Sequence, residues 1–386
     1  MICQYYAPEP FRIADICESL VKEGHAVDVV TSFPNYPSGN IYKGYRNARR
    51  KDEIVNGVNV HRVFTVPRKK GAVMRMVNYY AYSIFSSLYI KGLKKEYDVV
   101  FVYQLSPVLM ARAAMKYKKK YGKRILLYCL DLWPDSLAFG GIKKGSTIYN
   151  YYGRVSEKIY KEADKVLVSS QGFKQRFDKL FKNSEKTDYV PQYAEEIFIP
   201  CEREENEMIT LTYAGNIGST QSVETILYAA EKLQDKNIKF SFYGDGSKFE
   251  EMKRIREKFA LKNVEFFGRR PVEDMPRIYA ESDALIVSLK DAEALSSALP
   301  GKIQSYMAAG RPILASVTGE VVNIIKEAKC GFCSPAEDVD GLVKIVEEFI
   351  SSDKKQLANN SRKYYVENFS KDVFMKRIQQ ELEKLR

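Results

Sequence analysis

The sequence has few of the side chains that build metal centres. It contains two histidines and six cysteines in 386 residues, and the cysteines are scattered apart from the C-x-x-C pair Cys330 and Cys333. A structural zinc site needs four ligands, usually from two such pairs, so no zinc site is expected. We expect the six cysteines to be reduced, mostly packed thiols.

Long apolar segments are also missing. No uncharged run exceeds sixteen residues, and the run between Arg75 and Lys91 has fifteen, among them Asn78 and several tyrosines and serines. About 20 apolar residues are needed to span a bilayer, so no transmembrane helix is expected. The chain opens MICQYYAPEP, with neither a basic leader nor an apolar signal core. This start predicts a cytoplasmic protein.

Two common nucleotide-binding fingerprints are absent or incomplete. No G-x-x-x-x-G-K-[ST] occurs, which excludes a P-loop NTPase. Gly244-Asp245-Gly246 follows a strand pattern, but Phe249 stands where a dinucleotide fingerprint has its last glycine. A nicotinamide or flavin site is therefore poorly supported.

Positive charge is in excess. The chain has 61 Lys and Arg against 49 Asp and Glu, a formal net charge of +12, so its surface should attract anions such as nucleic acid, lipid headgroups or phosphorylated substrates. Charge alone does not choose among these partners. The length and the 45% hydrophobic content are ample for two domains of about 180 residues.

Short apolar runs alternate with amphipathic stretches along the whole chain. This alternation predicts βαβ units and an α/β fold of two doubly wound, Rossmann-like domains with parallel sheets. The pattern lapses over residues 191–207, which contain two prolines and several glutamates, so we place the domain boundary there. Parallel sheets bind ligands beyond the carboxyl ends of their strands, which predicts a site in a central cleft between the domains.

Two loops of the second half suit a phosphate group. Residues 215–220 join a strand pattern to a helix pattern, so their amides can hold a phosphate, although an ordinary turn has the same composition. Lys302 follows Gly301 at the start of another helix, where an ammonium opposes the helix dipole unless an anion lies beside it. A pyrophosphate is the natural anion; a solvated lysine is the alternative.

Several motifs together resemble a known family. PGKIQSYMAAGRPILASVTGE, YAGNIGSTQSVETIL and FYGDGSKFEEM are similar to the nucleotide-sugar domain of retaining glycosyltransferases of family 4, which have the GT-B fold. QYYAPEP, GHAVDVVTSFPNYPSGNIYKGY, YQLSP and DLWPDSL resemble the bacterial subgroup that builds O-antigen, capsule and exopolysaccharide, including fucosamine-type aminosugar transferases. The resemblance covers essentially the whole chain. It implies an acceptor domain at 1–190, a nucleotide-sugar domain at 191–365 and a C-terminal helix at 366–386 that packs back on the first domain.

The resemblance also implies a donor site. Lys302 stands at the family's basic position for the donor diphosphate, and Arg269 lies in the loop near the nucleobase. The family's paired glutamates fall on Ser297 and Ser305 here, so Glu320 is a candidate substitute at the ribose. The full set of implied donor-binding residues is Gly215, Asn216, Gly218, Gln221, Gly244, Arg269, Gly301, Lys302, Ser305 and Glu320.

In the first half the resemblance places a catalytic residue at Asp131, at the start of DLWP. A carboxylate there can accept the proton of the acceptor hydroxyl or bind a hydroxyl of the donor sugar. A helix cap before Pro134 is the alternative. Glu9 matches an acceptor-side loop, and Asp135 is a second acceptor-side candidate.

The implied reaction transfers a sugar, with retention, from a nucleotide-sugar, by expectation a UDP-sugar, to a lipid-linked (polyprenyl diphosphate) saccharide. Neither a cofactor nor a metal is expected. Asp338 and Asp340 have the spacing of a metal motif, but they open a helix pattern, which favours capping.

Residues 67–95 contain seven Lys and Arg and no acid, interleaved with apolar and aromatic side chains. This composition suits a helix that lies on anionic lipid, at the inner face of a bacterial cell membrane. The alternative is a domain helix that packs its aromatics inward.

Two other functions remain open from the sequence. A UDP-sugar epimerase shares the GT-B architecture, and its product would form without an acceptor. A nucleic-acid-binding protein is suggested by the pI of about 9.1 and would show salt-sensitive binding to oligonucleotides. We expect no nucleic-acid partner.

Overall fold

The chain divides into two compact units. The computed structural model describes residues 1–45, 52–69, 71–139, 141–182, 184–201 and 207–386. The first unit comprises Met1–Ser169, Phe173–Val190 and Met375–Arg386, and the second comprises Ser170–Gly172 and Pro191–Phe374. The prediction of a single C-terminal helix over 366–386 is wrong, because one helix ends at Asn368 and the next begins at Lys371.

The first unit alternates helices with mostly parallel strands. Its elements are α1 (Ile13–Lys22), β1 (Asp28–Ser32), β2 (Asp52–Val55), β3 (Val58–Val63), α2 (Ala72–Gly92), β4 (Val99–Gln104), α3 (Arg112–Tyr121), β5 (Arg124–Cys129), α4 (Ser136–Phe139), α5 (Thr147–Glu162), β6 (Lys165–Val168), α6 (Gln171–Phe181) and β7 (Thr187–Tyr189). The first two residues of α6 cluster with the second unit.

The sheet of the first unit is joined by the opening residues of the chain. Within the described residues, β1, β3 and β2 pair in that order, and β4 to β7 pair in sequence order. Ile2 bridges Val30 of β1 and Val102 of β4, so residues 1–4 lie between the two groups. Within this opening segment, Ile2 forms isolated bridges and not a longer strand. All pairs are parallel except β2 with β3.

The first helix of this unit has one buried face. In α1 the apolar residues Ile13, Ile16, Cys17 and Leu20 are all buried. Their spacing of three and four residues places them on one face of the helix, against the sheet. The five residues of β1 are all buried, as expected for a strand covered on both faces.

The second unit is built in the same way. Its elements are β8 (Ile209–Ala214), α7 (Val223–Lys232), β9 (Ile238–Tyr243), α8 (Phe249–Lys258), β10 (Val264–Gly268), α9 (Met275–Ala280), β11 (Ala284–Ser288), α10 (Glu293–Ser296), α11 (Gly301–Ala308), β12 (Ile313–Ser316), α12 (Glu320–Ala328), β13 (Gly331–Ser334), α13 (Val339–Ile350), α14 (Lys354–Asn368) and α15 (Lys371–Leu385), which continues into the first unit. A 3-10 turn, Val272–Asp274, directly precedes α9.

The six described strands of the second unit form one parallel sheet with the order β10-β9-β8-β11-β12-β13. Counted from β8, this is the order 3-2-1-4-5-6 of a doubly wound Rossmann sheet. Two buried clusters cover its faces. One includes Tyr306 and Met307 of α11, and the other includes Ile226 of α7 and Val346 of α13.

Candidate active site

The strand order of the second unit marks a ligand site. The order reverses between β8 and β11, and open parallel sheets bind ligands beyond the carboxyl ends of the strands at such a point. The loop after β8 starts at Gly215. It is tied to the end of β11 by two hydrogen bonds, from Lys290 N to Thr220 O (3.0 Å) and from Ser288 Oγ to Ser222 O (2.9 Å).

Side chains of the predicted phosphate loop fix its shape. Gln221 Oε1 accepts hydrogen bonds from Asn216 Nδ2 (3.1 Å) and from Gly218 N (3.2 Å). Gly215 has φ +144°, and a Cβ on Gly244 would lie 1.8 Å from Gly215 O. Only glycine permits this close packing of the loops after β8 and β9. The two loops thus form one rigid floor at the end of the sheet.

Lys302 extends over this floor. It is the second residue of α11, and its Nζ lies 4.1 Å from the centroid of the Tyr213 ring on β8. A Cβ on Gly215 would lie 2.9 Å from the same Nζ. The side chain therefore needs glycine at position 215 to reach this place.

The Lys302 ammonium group has an unusual environment. Its Nζ is buried, and no hydrogen-bond partner is found for it within the described part of the chain. Burial lowers its pKa to about 7, because desolvation disfavours the charged form. Buried cations are normally paired, so this nitrogen lacks, among the described residues, the acceptor that a buried ammonium needs.

The remaining predicted donor residues differ in how far they are exposed to solvent. Gly301 is the exposed first residue of α11, and Arg269 is exposed after β10. Ser305 is buried one turn after Gly301, and its hydroxyl donates to Gly301 O (3.3 Å). Ser305 and Lys302 are three residues apart on the same helix, so both belong to the N-terminal part of α11.

Glu320 already has partners within the chain. It is buried at the start of α12, and its two carboxylate oxygens accept hydrogen bonds from Gln171 N (2.9 Å) and Gly172 N (3.2 Å). Burial raises its pKa. These contacts favour a structural role, and they make Glu320 a weaker ribose ligand than the sequence suggests.

In the first unit, Asp131 follows β5 and is surrounded by hydroxyl donors. Its carboxylate accepts hydrogen bonds from Ser106 Oγ and Ser136 Oγ, and Trp133 Nε1 donates to the same Ser106 Oγ (2.8 Å). Gln104 Nε2 donates to the backbone oxygen of Asp131 (2.7 Å). Burial raises the pKa of Asp131, while the hydroxyl contacts oppose that shift. The carboxylate is therefore held in one orientation.

The two acceptor-side candidates have strong internal contacts. Glu9 is buried and accepts from the backbone N of Tyr6, Asn35 and Tyr36, so it holds two loops together. Burial raises its pKa to about 7. Asp135 accepts from Tyr149 Oη (2.7 Å) and has Arg176 at 3.6 Å. Both carboxylates contribute to local structure.

Sequence reasoning missed the partners of these side chains. Tyr213 was only part of a strand pattern, and nothing in the sequence indicated its contact with Lys302. The contact between Ser106 and Asp131, in contrast, could have been predicted from the sequence. Gln104 pairs with Cys129 across β4 and β5, so Ser106 and Asp131 each lie two residues beyond a paired position. Residues after adjacent parallel strands meet at the same sheet edge, so this contact was predictable from strand register.

The predicted capping role of Asp338 is confirmed, because its Oδ1 accepts from Gly341 N (2.8 Å) at the start of α13. Asp340 pairs with Lys232 instead. Within the described residues no group of three or more metal-capable acids, histidines or cysteines occurs. All six cysteines are free, with Cys201 exposed and Cys333 partly exposed.

Comparison with known proteins agrees with this architecture. Residues 195–368 match the family described as glycosyl transferases group 1, and residues 12–192 match Glycosyltransferase Family 4. Both halves of the chain are glycosyltransferase domains. The glycosyltransferase therefore has its buried lysine in the group 1 half and its oriented aspartate in the family 4 half.

The named relatives have low sequence identity to this chain, but the alignments cover most of each chain. This glycosyltransferase is 24% identical over 287 residues to the probable glycosyltransferase WbjE of Pseudomonas aeruginosa, covering 71% of each chain. It is 22% identical over 330 residues to the putative colanic acid biosynthesis glycosyl transferase WcaI of Escherichia coli K12, covering 79% of each. The structure of Anabaena HepE in complex with UDP and glucose aligns with a TM-score of 0.68 at 13% identity, over 99% of this chain and 98% of that one. The fold is the two-domain α/β fold of GT-B glycosyltransferases.

Proposed function

We propose that this glycosyltransferase moves a sugar from a UDP-sugar to a lipid-linked saccharide, with retention, during cell-surface polysaccharide synthesis. The observation that carries the proposal is the buried Nζ of Lys302, without a partner in the described chain, beside the rigid glycine floor. A diphosphate supplies the missing negative charge at this point. The relatives support the substrate class, since HepE binds UDP and glucose and WcaI is named for colanic acid biosynthesis.

In the proposed reaction, the bond between the sugar's anomeric carbon and the diphosphate breaks, and a bond to the acceptor oxygen forms on the same face. Lys302 and the amides of the glycine loop stabilise the departing diphosphate. Asp131 accepts the proton of the acceptor hydroxyl. The positive charge at the leaving group is assigned to Lys302, so the proposal needs no metal and no cofactor.

The donor assignment is tested by calorimetry and thermal shift with UDP, GDP, dTDP, CMP and NAD. We expect selective micromolar binding of UDP that weakens strongly in Lys302→Met. Lys253→Met is the matched control, because Lys253 lies exposed on α8 and pairs with Glu250. Binding of NAD alone, or of no nucleotide, contradicts the proposal. Product formation from a UDP-sugar without any acceptor would favour an epimerase.

The acceptor proposal rests on the two faces of α2. Polar side chains such as Asn78, Ser83 and Ser86 are buried, whereas aliphatic side chains are exposed on the other face. The exposed face of α2 is therefore more aliphatic than the exposed face of an ordinary amphipathic domain helix. The exposed fractions of the aliphatic side chains are 75% for Val73, 41% for Val77, 51% for Ile84 and 55% for Leu88.

These four positions lie on one stripe, because they are separated by four, seven and four residues. Phe64, 54% exposed, extends the stripe through an edge contact with Phe85 (4.9 Å between centroids). Tyr79 and Tyr82 are buried, so the alternative of inward-packed aromatics holds for part of the helix. Within the described residues, no helix combines the length and apolar character of a membrane span.

Basic residues border the stripe at both ends. Lys69 and Arg75 are exposed near its start, and Lys91 and Lys94 near its end; Lys70 lies outside the described residues. Arg68 is different, because its guanidinium lies over the Tyr36 and Tyr79 rings. The apolar stripe with cations at both ends fits an anionic bilayer surface, with the aliphatic side chains at the acyl boundary. We place the enzyme at the inner face of a bacterial cell membrane on this basis.

The membrane contact is tested by co-sedimentation with anionic vesicles. The triple change Val77→Ser, Ile84→Ser and Leu88→Ser should weaken binding by about a hundredfold, if each partly inserted side chain contributes roughly 1 kcal/mol. Ile54→Ser is the matched control, because Ile54 is 73% exposed on β2, outside the stripe. Equal sedimentation of the triple variant and the control would contradict the membrane contact.

A further inference from the structure

The resting place of Lys302 has a consequence for how the donor binds. The Nζ lies over the face of the Tyr213 ring, and the ring is held in place because Tyr213 Oη donates to Asn216 O (2.6 Å). Gly215 leaves the space through which the lysine stem passes. The Tyr213 ring face, with its centroid 4.1 Å away, is thus in direct contact with this nitrogen.

A ring face is a poor substitute for a counter-ion. Cation–π attraction is weak compared with the cost of removing an unpaired ammonium from water. The N-terminal position of Lys302 on α11 adds a further unfavourable term, since the positive end of the helix dipole lies beside it. A buried amine in this situation gives up its proton in preference to remaining charged.

The groups around the Lys302 amine do not favour its charged form, so they do not offset the desolvation. Tyr213 of β8 and Tyr306 of α11 are the phenols that line this part of the site, and Tyr306 Oη is bonded to Ala214 at both its backbone N and O. Both phenols have pKa values raised by burial, so they stay neutral. Burial is the one cause that lowers the pKa of Lys302, and no charged group among the described residues opposes it.

We propose that Lys302 rests largely uncharged against Tyr213 in the free enzyme and takes up a proton when the donor diphosphate binds. Tyr213 is thus a positioning residue that holds the neutral amine in the site. The proton comes from solvent and adds to the Nζ lone pair, and the resulting ammonium pairs with the diphosphate. The inference rests on the proposed donor site and adds a pH dependence to it.

The coupling has a definite sign. With a free-state pKa of about 7, the amine at pH 8 is about nine-tenths neutral, so binding should take up ~0.9 proton. Affinity for UDP should fall about tenfold for each pH unit above 8, because the neutral form must be protonated first. Below about pH 6 the amine is already charged, and proton uptake by Lys302 should disappear.

The test is calorimetric binding of UDP at pH 8 in buffers of different ionisation enthalpy. At this pH the terminal phosphate of UDP is already ionised, so the uptake reports on the protein. Wild-type enzyme should show the uptake. Lys302→Arg, whose guanidinium stays charged, and Lys302→Met, which has no titratable group, should both show none. Tyr213→Phe keeps the ring and should retain the uptake.

A nucleotide-free measurement separates this inference from the donor assignment. The Nζ resonance of Lys302, in 15N-lysine-labelled enzyme and assigned by its loss in Lys302→Arg, should titrate near pH 7. If UDP binding depends on Lys302 but the resonance titrates above pH 10 and no proton is taken up, this inference is overturned and the donor site stands. If the resonance titrates near pH 7 and no nucleotide binds, the neutral resting lysine stands, whereas the donor site and the coupled uptake both fail.

Discussion

Replacing Lys302 with methionine should lower kcat/KM by at least about 30-fold, which corresponds to ~2 kcal/mol of lost transition-state stabilisation. The physical reason is that the buried Nζ beside the glycine floor, once protonated, is the group expected to face the departing diphosphate. Negative charge grows on the diphosphate as its bond to the sugar breaks, so a contact to it counts most in the transition state. The measurement is steady-state transfer from a UDP-sugar.

The methionine variant is informative because it changes little else. Its side chain keeps the apolar stem that packs against Tyr213 and removes the charge, so the free energy of unfolding should stay close to that of wild type. Lys253→Met should retain full activity. A wild-type rate in Lys302→Met, with both proteins folded, would remove Lys302 from the reaction.

The second large effect is expected at Asp131. Asp131→Asn should strongly lower the rate of transfer while UDP binding remains, because the amide cannot accept a proton from the acceptor hydroxyl. Ser106 and Ser136 donate hydrogen bonds to the two different oxygens of this carboxylate. Asparagine has one side-chain oxygen, so it can keep only one of these two hydrogen bonds. We expect a loss of 10²-fold or more in turnover, in the usual range for removal of a general base.

The pH profile separates a catalytic from a structural Asp131. Burial raises its pKa, so the carboxylate stays protonated to a higher pH than an exposed aspartate. Wild-type turnover should therefore fall on the acid side as this group gains its proton, and residual activity of Asp131→Asn should lack that limb. Asp178→Asn, which changes the partly buried Lys174–Asp178 pair on α6, is the control for loss of a paired aspartate elsewhere in the first unit. An unchanged profile with full activity in Asp131→Asn would reduce Asp131 to a helix cap.

Much of the fold was predictable because it depends on local pattern. The apolar spacing in α1 and the strands after it follow from burial of one helix face and both faces of parallel strands. The motif around Lys302 identified the loop that carries it, and the start of the DLWP motif identified Asp131. Both residues lie after parallel strands, where such sheets generally bind ligands.

The environments of these residues were not predictable from pattern. Helix α2 shows the reason. Its composition predicted an amphipathic basic segment. Only packing decided that Ser83 and Ser86 would be buried while the aliphatic side chains of the stripe would be exposed. Likewise Glu320 was expected at a ligand, whereas the tertiary structure gives it two backbone amides. Its partners are about 150 residues away along the chain, beyond the reach of local spacing.

The sequence by itself determined the class of the protein, through the order of its strands and helices and the motifs that follow the strands. The tertiary structure decided which atoms are left without partners. Lys302 is unusual because β8, with Tyr213, and α11 enclose its Nζ, and the described residues offer it no acceptor. Desolvation depends on everything that surrounds an atom in space, so the charge state of that amine is a property of the fold and not of its neighbours in sequence.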